Sequence, residues 1–172
     1  RAAASSGKEV LVSVPVMRLN MAGLARIAQL VHSLGAKRIQ FNFPRPVELP
    51  AGVVAGPLAR LEDAATHIRR ASRAAARLGL AVSTEGVPFC HLDKVFHKVP
   101  DAVEDWRRFR VDDLDRLTES LDAERSSSRP QPPVCGACRH LRTCPKTWAS
   151  YQSLFGTSEL KPFKSPRPAL LK

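Results

Sequence analysis

Apolar and polar positions divide the chain into a first half of alternating strands and helices and a second half dominated by charge, proline and cysteine. Val10-Leu-Val-Ser-Val-Pro-Val16 is short, β-branched and apolar on both faces, the pattern of a strand buried in a parallel sheet. Asn20 then offers an N-cap, and Leu24, Ile27, Val31 and Leu34 recur at helical spacing from Met21 to Leu34, with Gly35 as the stop. In Arg38-Ile-Gln-Phe-Asn-Phe43 the pattern changes to strict alternation, with Ile39, Phe41 and Phe43 facing one way and Gln40 and Asn42 the other. Together these predict a βαβ unit. Pro44, Pro46, Pro50 and Pro57, interleaved with Gly52 and Gly56, predict a loop at the end of that strand. A long Ala/Arg helix is expected next, starting at Leu58 or Leu61 and ending at Leu78, with Leu61, Ala65, Ile68, Ser72, Ala75 and Leu78 as its buried stripe. Leu80-Ala-Val-Ser-Thr-Glu85 reads as a third strand that leads through Gly86 and Pro88 into Cys90. The fold class is α/β.

Folds of this class place ligands in loops at the C-terminal ends of parallel strands. Here those loops carry Arg18 and Asn20, then Pro44-Arg45-Pro46, then Glu85 and Cys90. Gln40 and Asn42 leave two readings open. They line the hydrophilic inside of an open barrel, or they are the wet face of a strand at a sheet edge.

Beyond Cys90 the segment from His91 to Glu124 is rich in charge, and a helix is expected from Asp112 to Glu124. Arg125-Ser-Ser-Ser-Arg-Pro-Gln-Pro-Pro133 has the composition of a flexible linker. Pro145 suits the first turn of a last helix that puts Trp148, Tyr151 and Phe155 on one packing face and closes at Gly156. The proline-containing stretch from Lys161 to Lys172 is expected to fray, and no internal repeat is present.

Composition narrows the partners. At 172 residues and 44% hydrophobic, the chain can bury a real core, and no apolar run approaches the length that spans a bilayer. The net charge of +11 permits an anionic partner. With 6% aromatic residues and no basic–aromatic interleaving, the stacking platform of a single-strand nucleic-acid binder is missing, and Arg69, Arg70, Arg73 and Arg77 read as a solvated helix face. The start, Arg1-Ala-Ala-Ala-Ser-Ser-Gly-Lys8, has no apolar core of a secretory leader, so a cytoplasmic location is expected; the initial Arg suggests a piece of a longer protein.

The chain has four cysteines, and Cys135, Cys138 and Cys144 form a Cys-x2-Cys-x5-Cys cluster. With Cys90 they complete one set of soft tetrahedral ligands with none left over, as structural zinc and iron–sulfur clusters both require. A reducing cytosol favours metal over disulfides. Spacing does not choose between zinc and iron–sulfur, and a four-cysteine zinc module recruiting an anionic partner or nucleic acid remains the alternative. His91, His97 and His140 lie near the cluster segment as surface or supporting groups, since the cysteines already make up the set.

Val14-Pro-Val-Met-Arg-Leu-Asn20 and Leu34-Gly-Ala-Lys-Arg-Ile-Gln-Phe-Asn-Phe-Pro-Arg-Pro46 resemble the last two strand–helix units of a radical S-adenosylmethionine (SAM) barrel. Glu85-Gly-Val-Pro-Phe-Cys90, the knuckle and Phe155-Gly-Thr-Ser-Glu-Leu-Lys-Pro-Phe163 are similar to the auxiliary-cluster extension of that superfamily, called twitch or SPASM. The resemblance implies the C-terminal portion of a partial (β/α)6 radical SAM barrel over residues 1–89, a cluster domain over 90–163 and a flexible tail over 164–172. It implies a 4Fe–4S cluster on Cys90, Cys135, Cys138 and Cys144, and SAM contacts from Asn20, Gln40 and Asn42, with Arg45 a candidate anion contact. A SPASM domain would carry a further cysteine where this chain has Trp148, so a single auxiliary cluster is expected. The Cys-x3-Cys-x2-Cys loop that cleaves SAM is not in this sequence, so it would belong to an upstream half, in the same polypeptide or a separate subunit. The implied activity is that of an oxidoreductase or maturase. The 5′-deoxyadenosyl radical made at the upstream cluster abstracts hydrogen from a peptide or small metabolite, and the auxiliary cluster accepts the electron or binds the substrate. An electron donor is an implied partner.

Overall fold

In the computed structural model, the described residues are 7, 9–49, 52–54, 56–92, 111–113, 116–118 and 127–164. Three parallel strands, β1 (Leu11–Pro15), β2 (Arg38–Asn42) and β5 (Ala81–Glu85), form a sheet in the order β1-β2-β5. Helix α1 (Leu24–Ser33) follows β1, and helix α2 (Leu61–Arg77) leads into β5. The architecture is mixed α/β with a small parallel sheet. Among the described residues, no helix is long and apolar enough to cross a membrane.

Alternation along β2 explains the layering. Ile39, Phe41 and Phe43 are essentially fully buried and join Leu24, Ala28 and Val31 of α1 with Leu61, Ala64, Ile68, Ala71 and Ala75 of α2 in one core. Burying each phenylalanine contributes about 1.5–3 kcal/mol relative to exposing it. Leu61, Ala65, Ile68, Ser72 and Ala75 of the expected stripe are buried on α2, whereas Leu78 falls just past its end and is half-buried; alanines let the helix approach closely. The same core also takes in Leu92, Tyr151 and Leu160, so the cysteine-rich segment shares it with the sheet.

Several expectations are corrected. β1 is an edge of the sheet among the described residues, and its first residue, Leu11, is 42% exposed, so it is not buried on both faces. β2 is the central strand, paired on both sides, so Gln40 and Asn42 are not the wet face of an edge strand. The proline-rich stretch after β2 holds an antiparallel hairpin, β3 (Val47–Leu49) with β4 (Gly52–Val54). Its prolines lie outside these strands and leave the ladder N–H groups intact. Where a helix was expected from Asp112, β6 (Val111–Asp113) pairs antiparallel with β7 (Arg116–Thr118). Asp112, Asp113 and Asp115 are poor helix formers that favour turns, and Val111 and Thr118 are β-branched. The remainder of that expected helix lies outside the described residues, as do the tail beyond Lys164 and His97.

The segment after β5 turns sharply at Gly86, with φ +72°. A Cβ there would stand 2.9 Å from the Phe43 carbonyl oxygen and 3.3 Å from the Trp148 indole nitrogen, so only glycine fits. Cys90 follows on the short helix α3 (Phe89–Leu92). The last helix, α4 (Ala149–Phe155), starts four residues after Pro145 rather than at it, because Lys146 takes φ 59° and Trp148 is extended. Gly156 closes it as expected.

Candidate metal centre

The knuckle is a run of tight turns. Cys138 N–H bonds the Cys135 carbonyl at 3.0 Å, Leu141 N–H the Cys138 carbonyl at 3.0 Å and Cys144 N–H the His140 carbonyl at 2.8 Å. Pairing of Cys138 with Lys164, together with Arg139 N–H on the Phe163 carbonyl at 3.0 Å, ties the knuckle to the end of the chain's described part. Cys90 arrives from the end of β5 on α3.

These elements bring all four cysteines to one pocket of about 410 Å³, counting the space at its open mouth. Pro88, Phe89, Leu141, Leu160 and Phe163 supply much of its apolar wall. His140 is part of the lining and stands edge-on to Phe89 and Phe163, with ring centroids 6.1 Å and 5.1 Å away. Burial pushes the Cys90 thiol up to about 11; the hydrogen bond from the Lys161 backbone N–H opposes this, and Cys144, Cys135 and Cys138 add to it. Cys135 is raised for the same reasons, burial first, while Lys146 pulls it down. Cys90 and Cys135 thus lie close enough to the other cysteines for those neighbours to disfavour their thiolate forms. None of the four is joined in a disulfide.

Among the described residues, no three His, Cys, Asp or Glu side chains are gathered closely enough to hold a single metal ion. A tetrahedral zinc site needs four sulfurs about 2.3 Å from one centre. A 4Fe–4S cluster takes one thiolate on each of four irons, so its ligands stand around the wall of a wider space. Either group draws on the same four cysteines that this pocket brings together.

The face of the sheet opposite the helices is polar. Ser13, Gln40 and Ser83 lie in register across the strands, and Asn42 pairs with Glu85 in the next row. The Gln40 amide nitrogen donates to Asn42 Oδ1 at 2.6 Å and to Glu85 Oε2 at 3.0 Å, and Asn42 Nδ2 donates to Ser13 Oγ at 2.7 Å. Asn20 stands at the N-cap of a 3-10 turn, Met21–Gly23, but its side chain makes no capping hydrogen bond. Its Oδ1 accepts from Met17 N–H at 2.9 Å and its Nδ2 donates to the Pro15 carbonyl at 2.7 Å, which braces the loop after β1. Gln40 and Asn42 therefore belong to one network, and Asn20 stands apart from it at the strand end.

Two features escaped the sequence reading. Arg129, in the supposed flexible linker, is only 4% exposed; its guanidinium lies 3.9 Å from the centre of the Trp148 ring and 3.6 Å from Glu85 Oε1. Trp148 in turn donates from its indole N–H to the Phe43 carbonyl at 3.0 Å, and Arg45 stands 6.0 Å from its ring. The second feature is a clasp on the start of α2, where Arg60 pairs with Glu159 and Lys161 Nζ reaches Glu62 Oε1 at 2.7 Å. A lone arginine in a Ser/Pro stretch gives no local signal of burial.

No protein-family model matches the chain, and no match was found among curated proteins or solved structures.

Proposed function

We propose that this chain is the cluster-bearing C-terminal portion of a radical SAM oxidoreductase or maturase, with Cys90, Cys135, Cys138 and Cys144 as ligands of one auxiliary 4Fe–4S cluster. The observation that supports this reading is one pocket lined by all four cysteines. When bound, such a group supplies one-electron transfer. The chain's own part is to hold four thiolates, to wall the site with apolar side chains and to offer the Lys161 N–H to the Cys90 sulfur.

The polar face of the sheet is the proposed SAM side of the barrel. Gln40 and Asn42 would present amide groups there, with Asn20 at the rim. The open edge of β1 and the exposed Leu11 and Leu19 support an upstream SAM-cluster half as the missing neighbour, in this polypeptide or in another. The substrate class stays as the resemblance implies, a peptide or small metabolite.

Anaerobic purification with iron, sulfide and zinc analysis tests the proposal. A brown protein with broad absorbance near ~400 nm and about four irons per chain is expected. A colourless protein with one tightly bound zinc overturns it and leaves the zinc-module alternative. The isolated chain should form no 5′-deoxyadenosine from SAM and reductant, because four protein thiolates leave no iron open to SAM.

A further inference from the structure

Helix α2 carries its positive charge on one side. From Ala64 to Thr84 the sequence holds no acidic residue, and Arg69, Arg70, Arg73 and Arg77 all fall in that stretch. Their helical spacing puts them on the face opposite Ala64, Ile68, Ala71 and Ala75, which are buried in the core. Arg69 is engaged: its guanidinium donates to the His91 carbonyl and, at 3.1 Å, to Thr66 Oγ1. Arg70, Arg73 and Arg77 are exposed, and among the described residues they pair with no acidic side chain. By contrast, the exposed cations Arg60 and Lys161 are matched, to Glu159 and Glu62. Like charges at this spacing work against the helix, which its buried side holds in place.

We infer that the outward face of α2 is a docking surface for an acidic patch of another protein, with Arg70, Arg73 and Arg77 as its contacts. Charge complementarity selects that partner. Arg70 to Arg77 covers about 10 Å of helix axis, and each guanidinium presents a two-pronged fork to a carboxylate. A second copy of this chain is a poor occupant, because its own net charge is +11. A nucleic-acid backbone fits less well for two reasons. The residues between the arginines are Ala and Ser, with no aromatic side chain on which a base could stack. Glu62 and Asp63, exposed in the first turn on the same side, would repel a continuous line of phosphates, whereas a compact acidic patch ends short of them. Docking of such a patch relieves the repulsion among the arginines. No residue of α2 lines the cysteine pocket, so docking here does not depend on what that pocket holds.

The test titrates the full chain into a fluorescently labelled oligoglutamate peptide and, separately, into a labelled DNA duplex of random sequence, reading anisotropy at low and at moderate salt. The triple variant Arg70→Gln, Arg73→Gln, Arg77→Gln is compared with Arg26→Gln, Arg142→Gln, Lys164→Gln, which removes the same charge from exposed positions outside α2. The α2 triple should bind the peptide about tenfold less tightly than the parent, while the scattered triple stays close to the parent. The parent's binding should weaken with salt. The duplex responds to overall charge, so both triples should weaken it equally. A parent that does not bind the peptide at low salt overturns the inference, as do two triples that lose peptide affinity equally. A duplex that separates the triples as sharply as the peptide does makes the face a phosphate-backbone site and overturns its assignment to a protein partner. Both triples should keep the parent's far-UV circular dichroism. If the α2 triple does not, Arg73→Glu, at the centre of the face, decides: weaker peptide binding supports the inference and unchanged binding overturns it.

Discussion

The phenolic oxygen of Tyr151 stands 2.8 Å from the backbone nitrogen of Leu61 and accepts the first N–H of α2. The next N–H, of Glu62, goes to Glu159 Oε2 at 3.0 Å, and Tyr151 donates to that same oxygen at 3.1 Å. Arg60 at the N-cap makes no side-chain cap of its own. The start of α2 is therefore capped by the cysteine-rich segment, which joins the stability of the two parts.

Removing one hydroxyl measures that connection. Tyr151→Phe keeps the ring against Phe43, 5.4 Å away, and Phe155, 4.8 Å away, but leaves the buried Leu61 N–H without its acceptor. A loss of about 1–2 kcal/mol in denaturant unfolding is expected. An unchanged midpoint and slope would show that the hydroxyl does not cap α2.

Acid should loosen the outer part of the clasp. The hydrogen bond from Lys161, with its charge, holds the Glu62 carboxyl below the ordinary carboxylate value. Because the folded value is the lower one, the unfolded chain binds the proton first, and stability falls as the pH drops through the ordinary value of ~4.3 towards the lowered one. Both side chains are exposed, so salt should weaken the effect. Lys161→Met should be less stable than the parent at pH 6, and the difference should shrink as the pH is lowered towards 3. A pH-independent difference would assign the effect of Lys161 to packing.

Arg129 makes a sharper case. Its side chain is 4% exposed and Glu85 beside it is 15% exposed, so Arg129→Met strands a carboxylate in a poorly hydrated site next to Gln40. The expected cost is about 2–3 kcal/mol, with faster hydrogen exchange over residues 127–133. Adding Glu85→Gln should recover part of the stability, since the uncompensated charge is then removed. Additive losses would mean that the two side chains are not coupled.

What was legible in the sequence follows the range of the interactions. The alternation of Ile39, Phe41 and Phe43 and the stripe of α2 report local periodicity against one core, and both appear, the stripe as far as Ala75. The hairpin at β3 and β4 was hidden by proline density, although the prolines fall outside its strands. Arg129 was read as linker because its partners, Glu85 and Trp148, come from other parts of the chain. The cap on α2 was invisible for the same reason: Tyr151 was legible as a packing residue but not as an acceptor for Leu61. The four cysteines were the opposite case. Their count and spacing announced a common site, and the pocket brings Cys90 to the other three.

Cys90 is the cysteine on which the cluster reading depends most, since it comes from the end of the sheet while the others come from one knuckle. Its thiol is pushed up to about 11 by burial, so the metal-free protein holds it neutral and loading must release its proton. Cys90→Ala should therefore lose as much iron as Cys138→Ala, and both should loosen the segment beyond His91. The core of β1, α1 and β2 should stay folded, because Phe41, Leu24 and Ile39 bury one another there without the pocket. Iron analysis with limited proteolysis checks both parts. If Cys90→Ala keeps full iron and the parent's protease resistance, Cys90 is not a ligand. The fourth ligand must then come from elsewhere. His140, already in the pocket wall, is the first candidate; His91, whose buried Nε2 has no hydrogen-bond partner, is the second.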